Sequence, residues 1–183
     1  MIYLIGGAPR AGKTILGQRL CTTLKVGWIS TDVLMDLLRV ANAPGRKMKW
    51  DASPEAITAQ AEWFFPYLER FIWGISSLAD YYVLEGVDFL PAQVAQLSTQ
   101  YPIRAVFLGC SRMTLENFTQ FPGRSKGYGN LPEALRRQIV EDVPRWSAFV
   151  RQEAERFGYT YIDMVSDFSQ QLAKAEMVLT AAF

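Results

Sequence analysis

The sequence predicts an α/β fold, a three-layer sandwich in which helices cover both faces of a parallel sheet. Three observations carry this. Short β-rich runs alternate with longer segments of helical periodicity. The segments between successive runs are long enough to hold the helix that a parallel crossover requires. No repeat, low-complexity tract or long linker breaks the alternation, and 183 residues, half of them apolar, suit one compact domain spanning 1–183.

The strand candidates in order are Ile2 to Ile5, Gly27 to Ser30, Tyr81 to Leu84, Ile103 to Leu108 and Tyr159 to Met164. After the first, Leu16, Leu20 and Leu24 repeat every fourth residue, the stripe of a helix that faces a sheet. From Pro54 to Ile75, positions Ile57, Ala61, Phe64, Phe65, Leu68, Phe71, Ile72 and Ile75 keep helical spacing, with a kink expected at Pro66. The aromatic residues from Trp63 to Trp73 on this helix read as core, and they are also consistent with a homodimer face. Asn130 and Glu133 resemble a helix cap with Pro132 in the first turn, and Leu135, Ile139, Trp146, Phe149 and Ala154 continue to Gly158. Pro144 is expected to bend or split that helix.

Composition narrows the function classes. A net charge of +1 argues against a chain built to coat nucleic acid or an acidic membrane. Cys21 and Cys110 form no CxxC pair and read as buried thiols in a reducing compartment. Histidine is absent, which removes imidazole bases, Ser-His and Cys-His nucleophiles and His-based zinc sites. Acid-base work falls to carboxylates. The apolar stretches are too short to span a bilayer, and Met1 to Gly7 runs straight into Arg10 and Lys13, unlike a secretory signal. A cytoplasmic location is expected.

The chemistry begins at Gly7-Ala8-Pro9-Arg10-Ala11-Gly12-Lys13-Thr14, a complete Gly-x-x-x-x-Gly-Lys-Thr set between a strand and a helix. Glycines let backbone N–H groups converge on phosphate oxygens, and the helix N-terminus adds positive potential. Lys13 would reach the β and γ phosphates of ATP, and the Thr14 hydroxyl would ligate Mg2+. Asp32 follows the second strand, where ligands of open α/β sheets bind, and has three readings: a base for an acceptor hydroxyl, a holder of a magnesium-bound water, or a cap for a helix beginning at Val33. Glu85 and Gly86, in Leu84-Glu85-Gly86-Val87-Asp88, end the third strand, where a carboxylate can orient a metal's water shell and a glycine lets substrate near the backbone. The stretch Phe121 to Gly129 carries Arg124 and Lys126 among glycines and reads as a lid over 121–131 or a solvated loop. Arg39, Arg46, Lys47 and Lys49 fall in an insert over about 39–75 that would suit an anionic acceptor or be a plain solvated face.

The order of glycine loop, Ser30-Thr31-Asp32, apolar helix and Leu84-Glu85-Gly86 resembles the small P-loop metabolite kinases. The 2-phosphoglycerate-kinase-like and zeta-toxin-like members are the most similar, with gluconate and shikimate kinases more distant. The resemblance implies a P-loop NTPase fold with a five-stranded sheet in the order 2-3-1-4-5 and ATP at the loop. It places the acceptor between Asp32, the Glu85-Gly86 turn and the insert after Arg39. The expected reaction is in-line transfer of the γ-phosphoryl group of ATP to a hydroxyl of a small molecule, with Lys13, Asp32 and Arg124 catalytic. The alternative from another class is a nucleotide-dependent switch or regulatory ATPase acting through a protein partner, with an assembly ATPase third.

Overall fold

The computed structural model of the chain describes residues 1–41, 51–120 and 131–181. Its elements are β1 (Ile2–Gly7), α1 (Lys13–Leu24), β2 (Gly27–Ser30), α2 (Thr31–Val40), α3 (Pro54–Ser76) and β3 (Tyr82–Glu85). There follow α4 (Pro91–Ser98), β4 (Ile103–Gly109), α5 (Glu116–Gln120), α6 (Glu133–Arg156), β5 (Thr160–Asp163) and α7 (Phe168–Thr180). The strands form one five-stranded sheet in the order β2-β3-β1-β4-β5, every pair parallel. This is the expected sandwich and the expected strand order.

Alternation along the central strands divides the core. Ile2 and Leu4 of β1, with Ala105 and Phe107 of β4, face a cluster built with Ile57, Ala61, Phe64, Leu68 and Ile72 of α3 and with residues of α4 and α6. Their neighbours Tyr3, Ile5, Val106 and Leu108 face the opposite cluster with Leu16 and Leu20 of α1 and Leu172, Ala175 and Leu179 of α7. Successive strand side chains point to opposite faces, so a sheet covered on both sides needs apolar residues at every position. The register is set accordingly: Ile2 to Ile5 of β1 pair with Tyr82 to Glu85 of β3 on one side, and Ile2 to Gly7 pair with Ile103 to Leu108 on the other.

Both internal prolines sit inside continuous helices. Helix α3 runs through Pro66, and α6 runs unbroken through Pro144, so Pro144 does not split it. Burial of Ile139, Val143, Trp146 and Val150 on both sides of Pro144 outweighs one missing backbone hydrogen bond. Pro132 is the N-cap residue of α6 rather than a first-turn residue, and Asn130 lies outside the described residues. Helix α2 begins at Thr31, not Val33, with the Ser30 side chain accepting from the Asp32 amide.

Two core assignments need correction. Trp73 is half exposed, with the Arg70 guanidinium 3.9 Å from its ring, while Phe64 of the same helix is fully buried. Cys21 and Cys110 are free and only partly buried. No helix among the described residues is long and apolar enough to cross a membrane.

Phe64 is among the largest fully buried side chains. Phe64→Ala is expected to cost about 3–5 kcal/mol, read as a lower urea midpoint at an unchanged slope. A loss under about 1 kcal/mol would contradict its place at the centre of this core.

Candidate functional site

The glycine loop turns from β1 into α1 through backbone that only special residues tolerate. Gly7 has φ 127° and Gly12 φ 86°, and a β-carbon on Gly7 would lie 1.9 Å from the Leu108 carbonyl oxygen. Gly12 is the N-cap residue of α1 and supplies no side chain to its first amides, which leaves those donors to the crevice. Arg10 also lies in the left-handed region, at φ 60°. Its guanidinium donates to the Asn117 carbonyl at 3.4 Å and stacks 4.6 Å from the Phe118 ring centre, which ties the loop to α5.

Lys13 is buried, and its Nζ donates to the Ala8 carbonyl at 2.6 Å, folding the ammonium back over the loop. Burial lowers its proton affinity, while the charges of Glu85, Asp32 and Asp88 act to restore it. A cation enclosed by a ring of amides, with three carboxylates near it, is the electrostatic form of a site for phosphate and a divalent metal. The residues present fit both groups.

Glu85 is the centre of the arrangement. It ends β3, pairs in register with Ser30 of β2 and Ile5 of β1, and is 2% exposed. Its Oε1 accepts from the Thr14 hydroxyl at 3.0 Å, and the Ser30 hydroxyl also bonds its side chain. Burial raises the Glu85 proton affinity against the opposing pull of Lys13 and these two hydroxyls. Since Ser30 Oγ accepts from the Asp32 amide at 3.3 Å, one chain of hydrogen bonds joins the first turn of α2 to the first turn of α1 through Glu85.

The same chain removes the capping reading of Asp32. Capping of α2 is done by Ser30, so the Asp32 side chain is not consumed as the cap. Asp32 is exposed, and its charge is felt by Lys13, Glu85 and Asp88 alike. A hydroxyl that ligates magnesium offers a lone pair to the ion and needs an acceptor for its proton, and the Thr14 hydroxyl has such an acceptor in Glu85. Carboxylate and hydroxyl oxygens are the hard donors that Mg2+ prefers.

Other sequence candidates fall elsewhere. Arg39 lies two turns along α2 from Asp32 and is ion-paired with Asp36 at 2.7 Å, both side chains exposed. Gly86 donates its amide to the Ile5 carbonyl, and the space beside its Cα is taken by the Thr31 side chain. Arg124 and Lys126 of the expected lid, and Arg46, Lys47 and Lys49 of the insert, lie outside the described residues.

The sequence matches no protein-family model. It also matches no curated protein. Solved structures do resemble the fold. An uncharacterized protein from Eubacterium ventriosum ATCC 27560 aligns over 100% of this chain and 99% of its own, at 14% identity and TM-score 0.53. Shikimate kinase from Acinetobacter baumannii, solved in complex with shikimate, aligns over 94% of this chain and 88% of its own at 20% identity and TM-score 0.49. A gluconokinase from Sinorhizobium meliloti 1021 aligns over 97% and 90%, at 15% identity and TM-score 0.46. At 14% identity the likeness to the Eubacterium ventriosum protein is one of fold.

Three residues at the site were not singled out from sequence. Thr31 is fully buried, and its hydroxyl donates to Asp88 Oδ2 at 2.6 Å. Asp88 is 1% exposed and also accepts from Gln60 Nε2 of α3 at 3.1 Å. The one signal in the sequence was Gln60 itself, a polar residue three positions after Ile57 and four before Phe64 on the buried stripe of an apolar helix.

Burial makes the folded chain keep the Glu85 proton to higher pH than the unfolded chain does. From the ordinary value of 4.5 up to the raised folded value, the folded state therefore binds more protons, and stability falls as pH rises. In Glu85→Gln that decline is absent, so the stability of the variant relative to wild type should improve as pH climbs through this window. Denaturant unfolding from about pH 4 to about pH 8 measures it, and a constant difference across the range would contradict the assignment.

Proposed function

We propose that this protein is an ATP-dependent phosphotransferase that moves the γ-phosphoryl group to a hydroxyl of a small molecule. The observation that carries the reading is the convergence of Lys13, Thr14, Asp32 and Glu85 at the carboxyl ends of β1, β2 and β3. Each has a separate connection to the others through Glu85.

The roles follow from the chemistry of each group. Backbone amides of residues 7–14 would cradle the phosphates, the Lys13 ammonium would neutralise charge on the transferred group, and the Thr14 hydroxyl would offer its lone pair to magnesium while donating its hydrogen bond to Glu85. Thr14 would hold a magnesium ion with Glu85 behind it, and the ion would supply positive charge to offset that developing on the phosphates. Asp32 stands exposed at the edge of the crevice, free of capping duty, where a carboxylate can accept the acceptor's hydroxyl proton or align its lone pair for in-line attack. Gly86 contributes indirectly, by leaving room for Thr31. Helices α2 and α3 meet close to Asp88, where Gln60 Nε2 and Met35 Sδ lie 4.0 Å apart.

Lys13→Ala is expected to weaken Mg-ATP binding and to lower turnover by at least about a hundredfold, since it removes charge stabilisation present in both ground and transition states. Asp32→Asn should bind Mg-ATP within about twofold of wild type and lose turnover by about a hundredfold or more. Isothermal titration and ADP release measure the two quantities separately. Equal turnover in Asp32→Asn and wild type would remove Asp32 from the mechanism.

A further inference from the structure

Asp88 is a buried carboxylate that none of the proposed steps uses. It lies past the end of β3 and is 1% exposed, yet it spends its two oxygens on two different helices. Oδ2 accepts from the Thr31 hydroxyl at 2.6 Å, at the first residue of α2, and Oδ1 accepts from Gln60 Nε2 at 3.1 Å, in the second turn of α3. Thr31 has no freedom to turn away. A β-carbon on Gly86 would fall 1.8 Å from Thr31 Oγ1 and 2.7 Å from its Cβ and Cγ2, so the side chain passes flush against the glycine on its way to Asp88.

A buried charge is costly, and a core serine or leucine would seal this position at lower cost. What the carboxylate supplies instead is direction. Thr31 precedes Asp32, and the Ser30 cap on the other side fixes the Asp32 amide. With Thr31 fastened inward by Asp88, Asp32 is left pointing outward at the crevice, where its charge is felt by Lys13 and Glu85. The Gln60 bond holds α3, the opposite wall, to the same anchor.

We propose that Asp88 is a positioning residue that, through Thr31, sets the direction in which Asp32 presents its carboxylate to the acceptor and, through Gln60, holds the facing wall at a fixed distance. The proposal rests on the phosphotransferase reading for its effect on rate, though not for its geometry. Misplacing a reacting group by about 1 Å costs up to about a hundredfold in rate, so the anchor is large enough to matter.

The test uses Thr31→Val, which keeps shape and removes the hydroxyl, and Thr31→Ser, which keeps the hydroxyl. Mg-ATP turnover is followed with the most stimulating of a panel of hydroxylated metabolites, or with water where none stimulates. Thr31→Val should lower kcat about tenfold or more while KM for Mg-ATP stays within about twofold, and Thr31→Ser should restore most of kcat. In an Asp32→Asn background, Thr31→Val should cause no further loss, because the residue acts through the group already removed. Undiminished turnover in Thr31→Val, or a full multiplicative loss in the double variant, overturns the proposal. Should Thr31→Val fail to fold, Gln60→Met removes the second donor and is held to the same KM and kcat criteria. If Asp32→Asn turns over like wild type, it is the catalytic reading that has failed. Crystals of Thr31→Val then decide the positioning claim: a displaced Asp32 carboxylate supports it, and one that has not moved overturns it.

Discussion

A carboxylate enclosed at the end of a β-strand must find donors or give up its charge, and Glu85 is in that position. Removing a charged group from water costs several kcal/mol unless hydrogen bonds and opposite charge replace the lost solvation. Around Glu85 the replacements come from three separate segments: the Thr14 hydroxyl at the start of α1, the Ser30 hydroxyl at the end of β2 and the Lys13 ammonium above the loop. Satisfying one side chain thus draws the ends of β1, β2 and β3 into a single polar cluster. Any shift of α1 against β3 would break a bond to a buried charge, so the glycine loop and the strand end that faces it are held together.

The parallel topology puts that cluster where a ligand can reach it. All strands run the same way, so all their carboxyl ends, and the loops that follow, open on one edge of the sheet. Strand β1 lies between β3 and β4, and the chain leaves it toward α1 on one face while α3 and α4 cover the other. A crevice opens at such a point because neighbouring connections diverge to opposite faces. The glycine loop fills it with amide donors, and the short α2, turned outward by its Ser30 cap, brings Asp32 to its rim.

Much of this was legible in the sequence, for physical reasons that differ by element. The strands were visible because a sheet buried on both faces demands unbroken apolar runs, and Ile2 to Ile5 and Ile103 to Leu108 have them. The glycine loop was visible because positive φ at Gly7 and Gly12 admits few other residues. Asp88 and Gln60 were not, since a hydrogen bond between an exit loop and a helix 28 positions earlier has no local periodicity. Trp73 was misread because helical spacing reports a face of the helix and not what covers it. Position in the chain likewise did not reveal that Asp36, one turn away, pairs with Arg39.

The most direct test of the account follows the γ-phosphoryl group of labelled Mg-ATP in the presence of hydroxylated small molecules, phosphorylated and not. The account predicts label recovered on an acceptor hydroxyl, formed in step with ADP, and lost when Asp32 is replaced by asparagine. Label recovered only as inorganic phosphate, at a rate that no small molecule changes and a protein partner does, would contradict it.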